Sequence, residues 1–327
     1  MIWILMQLGC SSPQPTPAVE LPPVTYDRPT TKPSRAMGGL DSRVDALQTR
    51  WEATGEGAGS LVDALGVRMS LTGKFSDLDR MFEVAGDTPV RARALLAVHR
   101  FDEALQVDPE VAVSVNLARQ QELDSLEKSR RATLEKHPST LNWQRLGDVL
   151  AAEGRLADAD RAYGEALAAY RDVSPLSVAD LQFRRGMLWG EGPDDPDRAR
   201  ALYTQAIERL PGFVRAHVHL AELEWQAGQH AEAISRVRGV VSSEDPEPGG
   251  KLAIWLEGEE ADSWRQRTTE AYDALLERYP LAFADHAAEF FLAVGELDRA
   301  RELAELNLKN RNTRRARALC EQAGCGS

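Results

Sequence analysis

Residues 143–166 read WQRLGDVLAAEGRLADADRAYGEA, and this stretch decides the fold of the chain. Apolar and small residues recur at helical spacing on both sides of Gly154, which predicts two helices joined by a tight turn at that glycine. Small residues at Gly147 and Ala159 allow the two helices to approach closely, and Tyr163 is large enough to fill the gap to the next pair. Because a single pair would leave an apolar face in water, the pattern predicts that several pairs stack on one another.

The same arrangement recurs towards the C-terminus. The small residue of the second helix falls at Ala159, Ala199, Ala233 and Ala300, in steps of 40, 34 and 67 residues. One period of this kind of repeat is about 34 residues, so the last step corresponds to nearly two periods. The spacing therefore predicts a row of helix pairs from about residue 138 onward.

These residues resemble the tetratricopeptide repeat, whose pattern is Trp-x2-Leu-Gly, a turn glycine, and then alanine, an aromatic residue and alanine in the second helix. The clearest copy matches it at Trp143, Leu146, Gly147, Gly154, Ala159, Tyr163 and Ala166. Further copies carry Phe183, Gly186, Ala199, Tyr203, Ala206 and Pro211; Leu220, Ala221, Gly228, Ala233 and Val237; Tyr272, Leu275 and Pro280; and Ala287, Ala288, Phe291, Gly295, Ala300 and Ala304. The resemblance implies an all-α fold, an alpha-alpha superhelix or solenoid with a concave inner surface.

Degenerate copies lie upstream, at Leu65, Gly66, Gly73, Leu78, Phe82 and Ala85 and again at residues 99–105. The interval from Pro109 to Pro138 has room for one long helix outside the repeats, and residues 244–260 read as an insertion. We therefore expect four segments: a signal-like segment at 1–10, a disordered tether rich in Pro, Ser and Thr at 11–40, a degenerate repeat-like helical region at 41–137, and the solenoid at 138–327.

The composition agrees with a helical protein and argues against binding to nucleic acid or anionic lipid. Of the 327 residues, 43% are hydrophobic, 28% are charged and only 6% are aromatic. Alanine, leucine, arginine and glutamate, all good helix formers, are abundant. The 39 basic and 51 acidic residues give a net charge of −12, which disfavours sequence-independent binding to nucleic acid phosphates and to anionic lipid. We expect a protein partner and no nucleic acid.

The first ten residues form an apolar run that closes on Gly9 and Cys10, followed by Ser11 and several prolines. This resembles the end of a bacterial lipoprotein signal peptide, in which a cysteine after a small residue becomes lipidated. Gln7 departs from the family, which usually has leucine there, and the run is short and lacks a basic start. The resemblance implies a lipid at Cys10 as the only membrane contact, with sorting to the outer membrane. An apolar N-terminus on a cytoplasmic protein is the alternative.

Cys320 and Cys325 are the other cysteines, and both lie near the C-terminus. If Cys10 carries a lipid, they are an even pair that could form a disulfide in an oxidising compartment. Structural zinc needs about four ligands, and no histidine or further cysteine lies nearby in the sequence. Two free thiols in a reduced cytoplasm are the alternative.

No motif in the chain predicts catalysis or a cofactor. A Walker phosphate loop, a His-Glu-x-x-His metal motif and a Gly-x-Ser-x-Gly nucleophile are all missing from the sequence. His217 and His219 are two residues apart, which on a helix points them to different sides. His286 and Glu289 share a helical face, but a metal would need further ligands from elsewhere. We expect a protein that is not an enzyme, with no cofactor and no metal.

In the tetratricopeptide family, first-helix residues outside the packing pattern line the concave groove. The resemblance places in that groove Gln144, Asp148, Arg184, Arg215, His219, Glu222, Asp285 and Glu289. Family members that clamp a C-terminal carboxylate use a lysine and an asparagine, where this chain has Gln144 and Asp148, so we do not expect that mode of binding. The mixed charge suits a polar peptide or a protein surface.

Together these features predict a non-enzymatic scaffold or assembly factor for a protein partner, tethered by lipid to the bacterial cell envelope. The alternative is a soluble cytoplasmic accessory or regulatory subunit of an enzyme or secretion complex.

Overall fold

The computed structural model describes residues 21–190 and 195–326, and these residues form helices and no β-strand. The prediction of an all-α solenoid is confirmed. The N-terminal part contains α1 (Pro33–Thr54), α2 (Ala58–Thr72), α3 (Ser76–Ala85), α4 (Arg91–Ala97), α5 (Phe101–Val107), a short 3₁₀ turn (Pro109–Val111), α6 (Ala112–Ala118) and α7 (Leu123–Lys136).

Stacked helix pairs follow. They are α8 (Thr140–Ala152) with α9 (Leu156–Ala169), α10 (Pro175–Gly190) with α11 (Pro196–Arg209), α12 (Val214–Gln226) with α13 (His230–Arg238), α14 (Pro246–Trp255) with α15 (Gly258–Arg278), and α16 (Pro280–Ala293) with α17 (Leu297–Asn310). A final helix, α18 (Arg314–Gln322), packs on the last pair.

The closest approaches between paired helices lie at the glycines of the repeat pattern. A carbon atom added at Gly147 would lie 2.5 Å from Cε1 of Tyr163, and one added at Gly186 would lie 2.5 Å from Cε1 of Tyr203. Tyr163 and Tyr203 are 3% and 1% exposed, so each ring is buried between its own pair and the next. The glycine and the tyrosine together set the distance between the two helices.

Two expectations about the chain between the repeats were wrong. The interval from Pro109 to Pro138 is not one long helix: it breaks between α6 and α7, where Gln120 and Glu122 take left-handed backbone conformations with φ of 54° and 51°. Residues 244–260 are not an insertion, because α14 supplies the first helix of the pair with α15. Asp245 begins α14 by accepting a hydrogen bond from the backbone N–H of Glu247 at 3.0 Å.

The N-terminal helices pack back onto the last repeats. Leu61, Leu65 and Leu78 share one apolar cluster with Tyr279 and Phe283. Polar contacts continue this interface, since Asp79 accepts a hydrogen bond from the Tyr279 hydroxyl at 2.6 Å and pairs with Arg278 at 2.5 Å. On α2, Leu71 joins a second cluster with Phe183 and Phe213 of the middle repeats. The degenerate region therefore closes the solenoid instead of extending it.

The predicted boundary of the tether at residue 40 is wrong, because helix α1 already begins at Pro33. Residues 21–32 form neither helix nor strand, but they lie against the repeats. For example, the Thr31 amide donates a hydrogen bond to the Val173 carbonyl at 2.7 Å, and Arg28 donates one to the Tyr170 carbonyl at 2.7 Å. We call residues 21–31 the strap. Cys10 and the rest of segments 1–10 and 11–20 lie outside the described residues.

At the C-terminus, Cys320 and Cys325 are joined in a disulfide, with Cα atoms 5.2 Å apart. Cys320 is buried in a small apolar cluster with Ala288, Ala304 and Leu319. The bond links the last turn of α18 to the residues that follow it.

We expect Gly147→Ala to lower the free energy of unfolding by about 1–3 kcal/mol, because the new methyl group would overlap the Tyr163 ring and force α8 and α9 apart. Denaturant unfolding followed by circular dichroism measures the change. Gly212→Ala is the matched control, since no atom lies within 4 Å of the added carbon, and it should change stability by less than about 0.5 kcal/mol. Equal stability of the two variants would contradict the role of the glycine contact.

Candidate functional site

A cavity of about 950 Å³ lies at the centre of the superhelix, and we call it the central cavity. Residues from α8 to α12, α14, α16 and α18 line it, together with Gln120 from the break between α6 and α7. Its charged and polar lining includes Asp180, Arg184, Arg215, His219, Glu222, Glu247, Glu289, Arg314 and Arg315. Phe183, Met187 and Leu223 supply apolar surface between these groups.

The structure brings five of the predicted groove residues together in this cavity, namely Arg184, Arg215, His219, Glu222 and Glu289. Gln144 and Asp148 lie beside the cavity, in contact with residues that line it. Asp285 does not face the cavity. It is 7% exposed and pairs with Arg311 at 2.7 Å. The prediction that Asp285 lies in the groove was therefore wrong, because Arg311, just after α17, covers it.

Arg184 forms two ion pairs at one wall of the cavity. Its guanidinium group contacts Asp148 and Asp180, each at 2.8 Å, and Asp148 also accepts a hydrogen bond from the Tyr163 hydroxyl at 2.7 Å. Burial would lower the pKa of Arg184, but the two carboxylates raise it above its ordinary value. Because Tyr163 is the ring that packs on Gly147, this charged group is tied directly to the repeat core.

Glu222 sits in a second set of paired charges. It lies 3.0 Å from Nδ1 of His219 and 2.5 Å from Nζ of Lys251. Burial would raise the pKa of Glu222, but the contacts with His219 and Lys251 hold it well below its usual range. The carboxylate is therefore ionised and already compensated before any ligand arrives. Lys251 comes from α14, in the stretch that the sequence pattern presents as an insertion.

Arg215 differs from Arg184 and Arg315 in the same cavity wall, each of which is paired with a carboxylate. Its guanidinium carbon lies 4.8 Å from the centre of the Phe183 ring, a cation–π distance. Within the described parts of the chain, no carboxylate oxygen lies within 4.0 Å of its nitrogens. The side chain is exposed to the cavity. Arg215 is thus a cation held in a fixed place by an aromatic ring, with its hydrogen-bond donors available to a ligand.

A smaller cavity of about 220 Å³ lies beyond Arg215 and Glu247, between the N-terminal helices and the repeats. Asp245 lines it, and burial together with the nearby Glu247 raises the pKa of Asp245 to about 7. Burial would lower the pKa of His286, but Asp285 and Glu247 raise it above its ordinary value. These groups meet only because α14 and α16 are neighbours in space, so no local sequence pattern marks them.

His99 joins the N-terminal region to the last repeats. Its Nδ1 lies 3.0 Å from the Leu281 carbonyl oxygen. Its backbone carbonyl accepts a hydrogen bond from the side-chain amide of Asn310 at 3.0 Å. Burial, together with the charge of Arg311, lowers the pKa of His99 to about 4. The ring is therefore neutral in the folded protein at neutral pH.

Among residues 21–190 and 195–326, no group of three or more His, Cys, Asp or Glu side chains is placed to hold a metal ion. In the same residues, no helix combines the length and the apolar character that crossing a bilayer requires.

Residues 190–248, from the end of α10 to the start of α14, match the tetratricopeptide repeat family. This match falls on the part of the chain where the sequence pattern places two of the predicted copies. No curated protein matches the sequence.

The chain also matches several solved structures at low similarity. BtubC from P. vanneervenii is 16% identical, with 65% of this chain and 90% of that chain covered and a TM-score of 0.40. The human IFIT1 dimer with PPP-AAAA is 14% identical, with 87% and 67% covered and a TM-score of 0.43. The P58(IPK) TPR domain is 15% identical, with 88% and 97% covered and a TM-score of 0.23. Similarity this low carries no information on binding or activity.

We expect low pH to reduce the free energy of unfolding through protonation of His99 in the unfolded chain. Unfolded histidine takes up a proton below about pH 6.5, whereas the folded ring resists it down to about pH 4, so this part of the stability is present above pH 6.5 and lost as the pH falls. His99→Asn should remove the effect, and asparagine tolerates the φ of 57° at this position.

The measurement is the free energy of unfolding of both proteins between pH 7 and pH 4. The difference between them should change by on the order of 2 kcal/mol across that range, since one pKa unit corresponds to about 1.4 kcal/mol. Parallel curves for the two proteins would contradict the buried, neutral state of His99.

Proposed function

We propose that this chain is a non-enzymatic interaction scaffold or assembly factor that binds a segment of a partner protein in the central cavity. The observation that carries the proposal is Arg215, an exposed cation fixed over Phe183 in the wall of a polar cavity between tetratricopeptide repeats. A cation held without a carboxylate partner is costly to bury in an interface unless the ligand supplies an acceptor. The ligand therefore offers a carbonyl or carboxylate oxygen at this point.

The other charges of the cavity favour an extended polar segment over a single small anion. Asp180, Glu222 and Glu289 are each compensated by a basic neighbour within 4.0 Å, so they are fixed hydrogen-bond acceptors around the wall. Phe183 and Leu223 offer apolar contacts between them. A peptide presents both donors and acceptors along its backbone, which is what such a mixed lining can satisfy.

We further propose that a lipid at Cys10 anchors the protein in the bacterial cell envelope, as an outer-membrane lipoprotein facing the periplasm or the exterior. The support for this is the sequence alone: the apolar run ending in Gly9 and Cys10 and the prolines that follow. In this proposal the lipid is the only membrane contact and the repeats hold the partner close to the membrane.

Replacing Arg215 with alanine should weaken partner binding without unfolding the repeats. Truncating a charged group in a partly desolvated interface costs about 2 kcal/mol or more, which corresponds to roughly a thirtyfold loss of affinity. Pull-down from the native host followed by titration of the recovered partner measures the loss. Arg184 and Glu222 are poorer choices, because both hold neighbouring charged side chains in place.

Arg145→Ala is the matched control, because Arg145 is an exposed arginine on α8 that does not line the cavity. Thermal unfolding should leave both variants close to the wild type, since exposed positions change stability by less than about 0.5 kcal/mol. If Arg215→Ala keeps full affinity while folded, the partner does not bind in the central cavity.

The anchor is tested separately by Cys10→Ser, since serine cannot carry a thioether-linked lipid. Fractionation of the native host should move the variant from the membrane fraction to the soluble fraction, while metabolic labelling with a fatty acid should lose its signal. A variant that stays in the membrane fraction to the same extent as the wild type would refute the anchor and leave the scaffold proposal standing.

A further inference from the structure

The strap is bound to the repeats by side chains that recognise its backbone. Arg185 donates hydrogen bonds to the carbonyls of Pro22 at 3.1 Å and Pro23 at 3.0 Å, and Arg198 donates one to Pro22 at 2.7 Å. Gln182 donates to the Val24 carbonyl at 2.8 Å. The strap thus accepts a row of hydrogen bonds through its main chain.

Arg209 extends the same row along α11. It donates to the carbonyls of Tyr26 and Arg28, the latter at 3.1 Å, and its guanidinium carbon lies 5.6 Å from the centre of the Tyr26 ring. We call Gln182, Arg185, Arg198 and Arg209 the strap groove. Because the side chains of the groove donate hydrogen bonds to carbonyl oxygens, the groove selects for an extended backbone more than for particular side chains.

The groove keeps its geometry through contacts that do not involve the strap. Asp160 is 0% exposed and contacts both Arg185 at 2.6 Å and Arg198 at 2.7 Å. Gln182 donates to the side-chain oxygen of Gln205 at 2.7 Å and accepts from Arg185 at 3.2 Å. Gln182, Arg185 and Arg198 are therefore positioned in advance, which reduces the entropy cost of binding an incoming chain.

The strap itself is held much less firmly than the groove beneath it. None of residues 21–31 is buried, whereas Arg185 is 1% exposed. A cavity of about 830 Å³ remains between the strap and α9, beside Arg161 and Glu165. Pro22 and Tyr26 pack on the repeats, but no residue of the strap is buried and water can replace its hydrogen bonds, so we expect its release to cost less than unfolding of the repeats.

Proline suits this groove for two physical reasons. It has no N–H, so a segment bound only through its carbonyls leaves no donor without a partner at that residue. Its fixed φ also keeps the free segment extended, which lowers the entropy lost on binding. In the structure the Pro22 ring packs on Gly164, where an added carbon would lie 2.6 Å from Pro22 Cγ. The absence of a side chain at Gly164 leaves room for the proline ring.

We propose that the strap groove is a second peptide-binding site, separate from the central cavity, for extended proline-rich segments. The chain fills it with its own residues 21–31, and a proline-rich segment of a partner protein takes their place. The two sites lie on different faces of the repeats, because Tyr163 and Arg184 line the central cavity while their neighbours Gly164 and Arg185 contact the strap.

The test uses full-length protein and a fluorescent synthetic peptide with the sequence of residues 21–31, followed by fluorescence anisotropy. Replacing Pro22 and Pro23 together with glycine should loosen the resident strap and leave the groove unchanged. Because apparent affinity scales with the fraction of open groove, this variant should bind the peptide at least about tenfold more tightly than the wild type. A peptide with alanine at its three proline positions should bind the strap variant more weakly than the proline peptide does, because it keeps the carbonyls but loses the fixed φ and the ring contact at Gly164.

Arg209→Ala added to the strap variant should weaken peptide binding by about tenfold, because it removes hydrogen bonds to two carbonyls and the contact with the Tyr26 ring. Arg200→Ala is the matched control on the same helix, since Arg200 contacts Gln229 and Leu223 and not the strap. Circular dichroism confirms that each variant is folded.

A second experiment uses only the wild type, so it tests the proposal even if the glycine variant fails to fold. Saturating peptide should displace the strap and speed hydrogen exchange of the Thr31 amide, which is bonded to Val173 in the docked strap. Unchanged exchange at Thr31, or no gain in affinity in the folded strap variant, would overturn the proposal and make the strap a permanent part of the fold.

Discussion

The contact between a glycine of the first helix and a tyrosine of the second is the constraint on which the structure depends. Gly147 with Tyr163 and Gly186 with Tyr203 set how near paired helices come, and each tyrosine is also buried against the next pair. The hydroxyl of Tyr163 reaches Asp148, which in turn positions Arg184 in the central cavity. The repeat packing thus determines both the curvature of the solenoid and the orientation of charged groups on its inner face.

The N-terminal helices pack against the last repeats and bring the two ends of the solenoid together. The apolar contact of Phe75 with Phe283 and the polar contacts of Asp79 with Tyr279 join α3 to the last repeats. Within the solenoid, side chains of α10, α12, α16 and α18 line one shared space. Asp180 has its basic partner Arg184 on the same helix, whereas Glu222 and Glu289 find theirs on other helices. Arg215 has no such carboxylate partner among the described residues and is held over Phe183, so its charge is available to a ligand.

Local patterns in the sequence predict the repeats because glycine, alanine and tyrosine at fixed spacing encode the contact within each pair. Five of the eight groove residues face the cavity as predicted, since their side of the helix follows from the same periodicity. Asp285 does not, because Arg311 covers it from another element. The docked strap, the closure through His99 and the role of Lys251 depend on contacts between residues far apart in the chain, which one sequence cannot reveal.

The central claim is that the N-terminal helices and the last repeats form one closed unit. Native-state hydrogen exchange of the full chain tests it directly by comparing α2 and α3 with α15 and α16 as denaturant is added. The closed solenoid predicts that the amides of all four helices lose protection together, in a single cooperative opening. Rapid exchange of α2 and α3 while α15 and α16 stay protected would show that the N-terminal region opens by itself, and would contradict the claim.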